Sequence, residues 1–189
     1  MGRALPITMF LAVAVPILFF AAFTPSRRLV PSIVGLDCDS QGICAESWQQ
    51  LQRAQPLYED SKQFVQGRLG RLEHPLHTIF CQSDWCASYF GLSGSKAQTT
   101  GLFGTVIGRD AWVPYLVRHE LIHQIQNERM GIFRLHSGPE WFLEGMAYSL
   151  SDDPRADLGV PWQEHRARFD SWYAATGSAN LWAAAKVLR

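Results

Sequence analysis

Residues 113–130 read VPYLVRHELIHQIQNERM, and the rest of the chain has to be arranged around this stretch. Pro114 suits a first helical turn, where its missing N–H costs nothing. Leu116, Val117, Leu121, Ile122 and Ile125 recur at helical spacing and define a broad apolar face. Gly131 supplies a stop. The stretch therefore predicts one helix. On it His119 and His123, four apart, share a face, and two imidazoles so placed can reach one tetrahedral metal ion. Glu120 sits about 100° round the helix from His119. From there a carboxylate touches a water beside the metal rather than the metal, which is where a general base belongs. The apolar neighbours imply burial, and two buried imidazoles and a carboxylate are costly without partners. A metal would satisfy all three; a hydrogen-bonded polar cluster in the core is the other way to do so.

A second stretch, residues 139–148, reads PEWFLEGMAY. Ser137 or Gly138 can cap a helix here, with Pro139 in its first turn. Leu143, Met146, Ala147 and Leu150 form its apolar side. Glu144 is a carboxylate on that largely apolar helix, unfavourable if unpaired. As a third ligand it completes a two-His, one-Glu set with a fourth position open to water, the set used by hydrolytic zinc.

The His119-Glu120-x-x-His123 pattern with this downstream Glu resembles the gluzincin group of zinc metallopeptidases. Twenty residues separate His123 from Glu144, close to what is usual in that group. Pro139, Trp141, Glu144, Gly145 and Ala147 also resemble the P-x-W-x-x-E-G-x-A pattern of small membrane-linked gluzincin-like domains. The resemblance covers roughly residues 98–152. It implies zinc on His119, His123 and Glu144, with Glu120 as the catalytic base. The metzincin alternative needs Gly and His where this chain has Gln126 and Arg129, so it fails. Some gluzincins carry an Asp four residues after the ligand Glu, to support a ligand His. Here that place holds Tyr148, a candidate for ligand support or for stabilising an oxyanion. His136 is kept as a substrate-side or proton-donor candidate. Half-buried helix tyrosines and solvated loop histidines are common and compete with both assignments.

Residues 99–109 alternate Thr99, Thr100, Leu102, Phe103, Thr105, Val106 and Ile107 with Gly101, Gly104 and Gly108. They read as a strand with glycine kinks leading into the His-bearing helix. In peptidases of the resembling group such an edge strand binds extended substrate backbone, a mode that supplies affinity with little sequence preference. Thr78, Ile79 and Phe80 read as another strand of that sheet. Residues 45–72 read as helical, packing on the sheet and broken by Pro56. His74 and His77 fall in a loop. Asp152, Asp153 and Pro154 form a turn, and residues 162–173 and 179–188 are closing helices. Glu164, His165 and Arg166 read as an exposed polar face.

The chain has 189 residues, enough for one domain with appendages, and 17 basic residues balance 17 acidic ones. Without a basic stripe, nucleic acid is not an expected partner. Residues 4–23 are apolar and uncharged, long enough to cross a bilayer core. Arg3 precedes them; Arg27 and Arg28 follow. A cleaved signal peptide is the rival reading, but its small-x-small cleavage site is poorly formed. Cys38 and Cys44 are six apart and Cys81 and Cys86 five apart, all beyond the apolar run. Two local disulfides in an exported chain account for them better than free thiols.

The expectation is an α+β, zincin-like fold. A small mixed sheet has an edge strand packed on the active-site helix, and a second helix bears the third ligand. Residues 1–28 are an N-terminal transmembrane anchor or signal peptide, and residues 29–189 the catalytic domain, single-pass, on the extracytoplasmic side. The expected activity is zinc-dependent hydrolysis of peptide or protein substrates. A zinc-stabilised binding or scaffolding module of the cell envelope is the non-enzymatic alternative, and a hydrolase of cell-wall amides would use the same chemistry.

Overall fold

A computed structural model describes residue 12 and residues 18–20, 22–131 and 138–188. Five short strands form one mixed sheet: β1 (Asp37–Cys38), β2 (Ile43–Ala45), β3 (Thr78–Phe80), β4 (Ala97–Thr100) and β5 (Gly104–Ile107). Their spatial order is β1-β2-β3-β5-β4. β2, β3 and β5 run parallel, while β1 and β4 close the two edges antiparallel to their neighbours.

The three inner strands are buried along their whole length, as parallel strands covered on both faces must be. Side chains alternate between the faces. Ile43, Ala45, Phe80 and Ile107 join the larger core. Cys44, Ile79 and Val106 join a smaller one with Leu36, Phe90 and Leu92.

The larger core lies under α1 (Trp48–Leu69), α3 (Pro114–Met130), α4 (Glu140–Leu150), α5 (Trp162–Thr176) and α6 (Leu181–Ala185), while α2 (Asp84–Tyr89) packs on the other face. Pro56 does not break α1. It stands on the exposed side with Gln52, whose carbonyl it leaves unpaired, so water can take that carbonyl. Both disulfides form as expected. Cys38–Cys44 bridges directly opposed residues of β1 and β2, and Cys81–Cys86 ties the end of β3 to α2. Such bridges belong to chains that fold in oxidising surroundings.

Two further expectations, for residues 99–109 and for the N-terminal run, need correction. Residues 99–109 are not one kinked strand. Gly101 (φ 45°) and Gly104 (φ 118°) adopt a left-handed backbone, which turns the chain back on itself and makes a β4–β5 hairpin. A Cβ on Gly104 would also stand 2.6 Å from the His77 carbonyl oxygen. The edge strand is thus β4 alone.

The transmembrane helix, and the single-pass placement with it, is not supported. No helix among the described residues is long and apolar enough to cross a membrane. Most of residues 4–23 lie outside the described part, but the end of the run is packed on the fold. The Phe23 ring meets Phe103 at 5.0 Å. Arg28, expected as a charge flanking a membrane, is fully buried. It donates to the carbonyls of Phe90 (2.9 Å), Gln98 (3.3 Å) and Gly104 (3.2 Å) and to Thr100 Oγ1 (2.8 Å) and Gln98 Oε1 (3.0 Å). Burial brings its guanidinium down to about 10, against the attraction of Glu120.

Helix α3 is held to the sheet by a polar seam. Thr99 Oγ1 donates to the Glu120 carbonyl (3.1 Å), and Asn127 Nδ2 donates to the Gly101 carbonyl (3.0 Å). Between them the buried Gln124 amide donates to Thr78 Oγ1 (3.2 Å) and Thr105 Oγ1 (2.9 Å) and accepts from Leu76 N (3.1 Å). Replacing Gln124 by Ala strands these buried partners. It should cost about 2–3 kcal/mol, read as a lowered urea midpoint at unchanged slope.

Candidate metal centre

The seam sets the height of α3 against the hairpin and so places its two histidines. Their Nε2 atoms lie 3.1 Å apart. Glu144, carried in by α4, puts one carboxylate oxygen 3.4 Å from His119 Nε2 and the other 3.5 Å from His123 Nε2. Ligand bonds of about 2.0–2.2 Å in a tetrahedron give edges of roughly 3.3–3.6 Å, close to these separations, so the three groups fit a small cation in their midst. They form a group that could hold a metal ion. Their side chains are 9, 12 and 26% exposed.

Burial raises the carboxyl of Glu144, but His123 and His119 outweigh it and hold it at about 2. Burial lowers the His123 imidazole, yet Glu144, Glu120 and the Gln126 hydrogen bond leave it above its ordinary 6.5.

Gln126 was legible only as the residue that excludes the metzincin pattern. Its Oε1 lies 2.8 Å from His123 Nδ1, so that nitrogen donates and Nε2 keeps its lone pair for the metal. Its Nε2 donates to the Leu143 carbonyl at 2.9 Å, tying α3 to the turn of α4 that carries Glu144. The signal was available, since three residues on a helix are neighbours. His119 Nδ1 is buried with no hydrogen-bond partner among the described residues. Its ring packs edge-on against Tyr148 at 4.5 Å.

Gly145 has a packing reason. A Cβ there would stand 2.3 Å from the His165 carbonyl oxygen and 2.8 Å from Phe169 Cβ, because α5 crosses α4 at that point. His165 is therefore not on an exposed polar face as expected. It is partly buried, and its charge adds to the field lowering Glu144.

The centre opens into a cleft of about 640 Å³. Glu120, Tyr148, Leu116, Arg155, Leu158 and Trp162 line it on the helical side, and residues 94–99 form the opposite wall. Glu120 Oε2 is buried and has no hydrogen-bond partner among the described residues. Burial, then the charge of Glu144, push the Tyr148 phenol up to about 12, so it stays a proton-bearing donor at neutral pH. His136 and Ser137 lie outside the described residues.

Among the described residues the outer edge of the opposite wall, strand β4, pairs with no strand besides β5. Gly108 N donates to Lys96 O at 2.9 Å. By antiparallel alternation the Gln98–Val106 and Thr100–Gly104 pairs are then the hydrogen-bonded ones. The main-chain groups of Ala97 and Thr99, both of which line the cleft, point away from β5.

Two outcomes follow from this geometry. Replacing Gln126 by Leu removes the acceptor for His123 and should weaken metal binding by about 10- to 100-fold, measured by competition with a chelating dye. Protons compete for His123 up to above 6.5, whereas Glu144 is ionised throughout. Metal affinity should therefore fall as pH drops through the raised His123 value, by about tenfold per unit for one displaced proton; a flat profile between pH 8 and 5.5 would contradict the assignment. The chain matches no protein-family model, no curated protein and no solved structure.

Proposed function

We propose that this chain is a zinc-dependent peptidase, with zinc held by His119, His123 and Glu144. The observation that carries the reading is the Glu120 carboxylate. It is a buried acid with an oxygen unpartnered among the described residues, lining the same cleft as a buried two-His, one-Glu group. The resemblance of both helices to gluzincins supports the same conclusion, and the N₂O donor set suits zinc kept for hydrolysis. Zinc so held supplies Lewis acidity toward an oxygen ligand at neutral pH.

The protein's own groups do the rest. Glu120 takes a proton from the attacking water and delivers it to the leaving amine. The Tyr148 hydroxyl donates to the oxygen on which negative charge develops. An extended peptide binds along β4, exchanging main-chain hydrogen bonds with Ala97 and Thr99. That arrangement holds the scissile bond across the cleft from the helix without demanding particular side chains.

Glu120→Gln should keep stoichiometric zinc and lose at least about 100-fold in turnover, followed with a quenched peptide library and metal analysis of the same samples. Full activity in that variant would end the assignment of Glu120. One zinc per chain with no Glu120-dependent cleavage would instead favour the zinc-stabilised binding module.

A further inference from the structure

Two basic side chains line the described part of the cleft outside its centre. Besides Glu120 and the metal group, its charged lining residues are Lys96 and Arg155, one on each wall. Lys96 is exposed beside the open strand. Arg155 is different in kind, because it is fixed. Asp153, with a side chain only 1% exposed, takes Arg155 Nε on both oxygens (2.9 and 3.1 Å) and Nη2 on one (2.5 Å). The guanidinium also lies over the rings of Tyr115 (5.2 Å) and Tyr148 (5.7 Å), a placement cations favour. The Asp153 backbone turn adds a bond from Arg155 N to Oδ1 at 3.0 Å. One edge of the fork is thus consumed in holding the side chain still. Nη1 makes no hydrogen bond to any described residue, and the side chain is 38% exposed.

A surface ion pair meant only for stability gains little from such an anchorage. A pre-positioned guanidinium with an unused donor, beside a catalytic centre, is what recognition of a planar anion requires. Among the described lining residues the only acids are Glu120 and Glu144, so an anion for the free Arg155 donor would come with the occupant.

We propose that Arg155 is a binding residue for a carboxylate of the substrate, so that the cleft selects peptides with an acidic group near the bond to be cut. The proposal rests on the peptidase reading for the identity of the ligand, a peptide. Arg155 Nη1 donates to the carboxylate, Asp153 holds the fork in place, and Lys96 attracts the same charge from across the cleft. The carboxylate has two sources, an Asp or Glu side chain or the C-terminal end of the peptide.

The experiment measures binding of synthetic hexapeptides to the zinc-loaded Glu120→Gln chain by calorimetry, so that no peptide is consumed. One arm compares Glu with Gln at each internal position; the other compares a free C-terminal acid with its amide. In one arm the acid should bind about 10- to 100-fold tighter than its neutral isostere. Adding Arg155→Gln should bring that ratio close to one. Arg155→Lys, which keeps the charge but not the fork, should give an intermediate ratio and guards against a fold defect in the Gln variant; melting curves of all three are recorded. The arm that responds identifies the source. A ratio near one in both arms, a ratio that survives Arg155→Gln, or no peptide binding at all overturns the proposal. Cleavage by the chain with Glu120 intact is scored separately. An acid preference without cleavage defeats the peptidase reading and leaves the Arg155 site standing, whereas cleavage without preference does the reverse.

Discussion

Everything at the centre depends on how α3 is registered against the β4–β5 hairpin. The contacts that set it are polar and buried: the Glu120 carbonyl on Thr99, the Gln124 amide between Thr78 and Thr105, and Asn127 on the Gly101 carbonyl. An apolar interface tolerates sliding, because dispersion and burial change gradually. A buried amide does not, since a shift of one turn leaves donors and acceptors unpaired at about 1–3 kcal/mol each. The helix that carries both histidines therefore has one height relative to the strand that walls the cleft.

A second constraint joins the ligand helices. Gln126 touches His123 with its oxygen and the Leu143 carbonyl with its nitrogen, so a single side chain orients one ligand and positions the helix that carries another. Behind α4, the close crossing at Gly145 brings α5 within van der Waals range of the Glu144 turn. The N-terminal segment acts on the other side of the hairpin, where the buried Arg28 collects five acceptors from Phe90 just past α2 and from β4 and β5. Removing a charge from water is tolerable there because its donors are satisfied. The cleft is thus held from behind on both walls, while Glu120 Oε2, His119 Nδ1 and Arg155 Nη1 beside it have no hydrogen-bond partner among the described residues.

Most of the centre was legible in the sequence. The helix 114–130, its proline start and glycine stop, and the sharing of one face by His119 and His123 all follow from the 3.6-residue repeat. Glu144 stood out as an acid on an apolar helix. The disulfide partners were legible because each pair is close in sequence. The hairpin was misread because alternation alone cannot distinguish a glycine that kinks a strand from one whose left-handed φ reverses it. The membrane anchor was read from the length and lack of charge of residues 4–23, with Arg27 and Arg28 taken as flanking charges, and neighbours in sequence give no sign that Arg28 is buried. Arg28 instead meets carbonyls more than sixty residues away.

Spacing along one helix was enough to put His119, His123 and Gln126 within reach of one another, since positions three and four apart on a helix are neighbours. The sequence also determined the buried helix faces and the twofold alternation of the inner strands for the same reason. Packing between distant segments supplied the rest: Glu144 brought to the two histidines, Gln126 reaching across to α4, His165 lying over Gly145, and Asp153 holding Arg155 at the cleft. These depend on contacts between segments distant in sequence. Their energies come from burial and from the pairing of polar groups within it, which no local periodicity encodes.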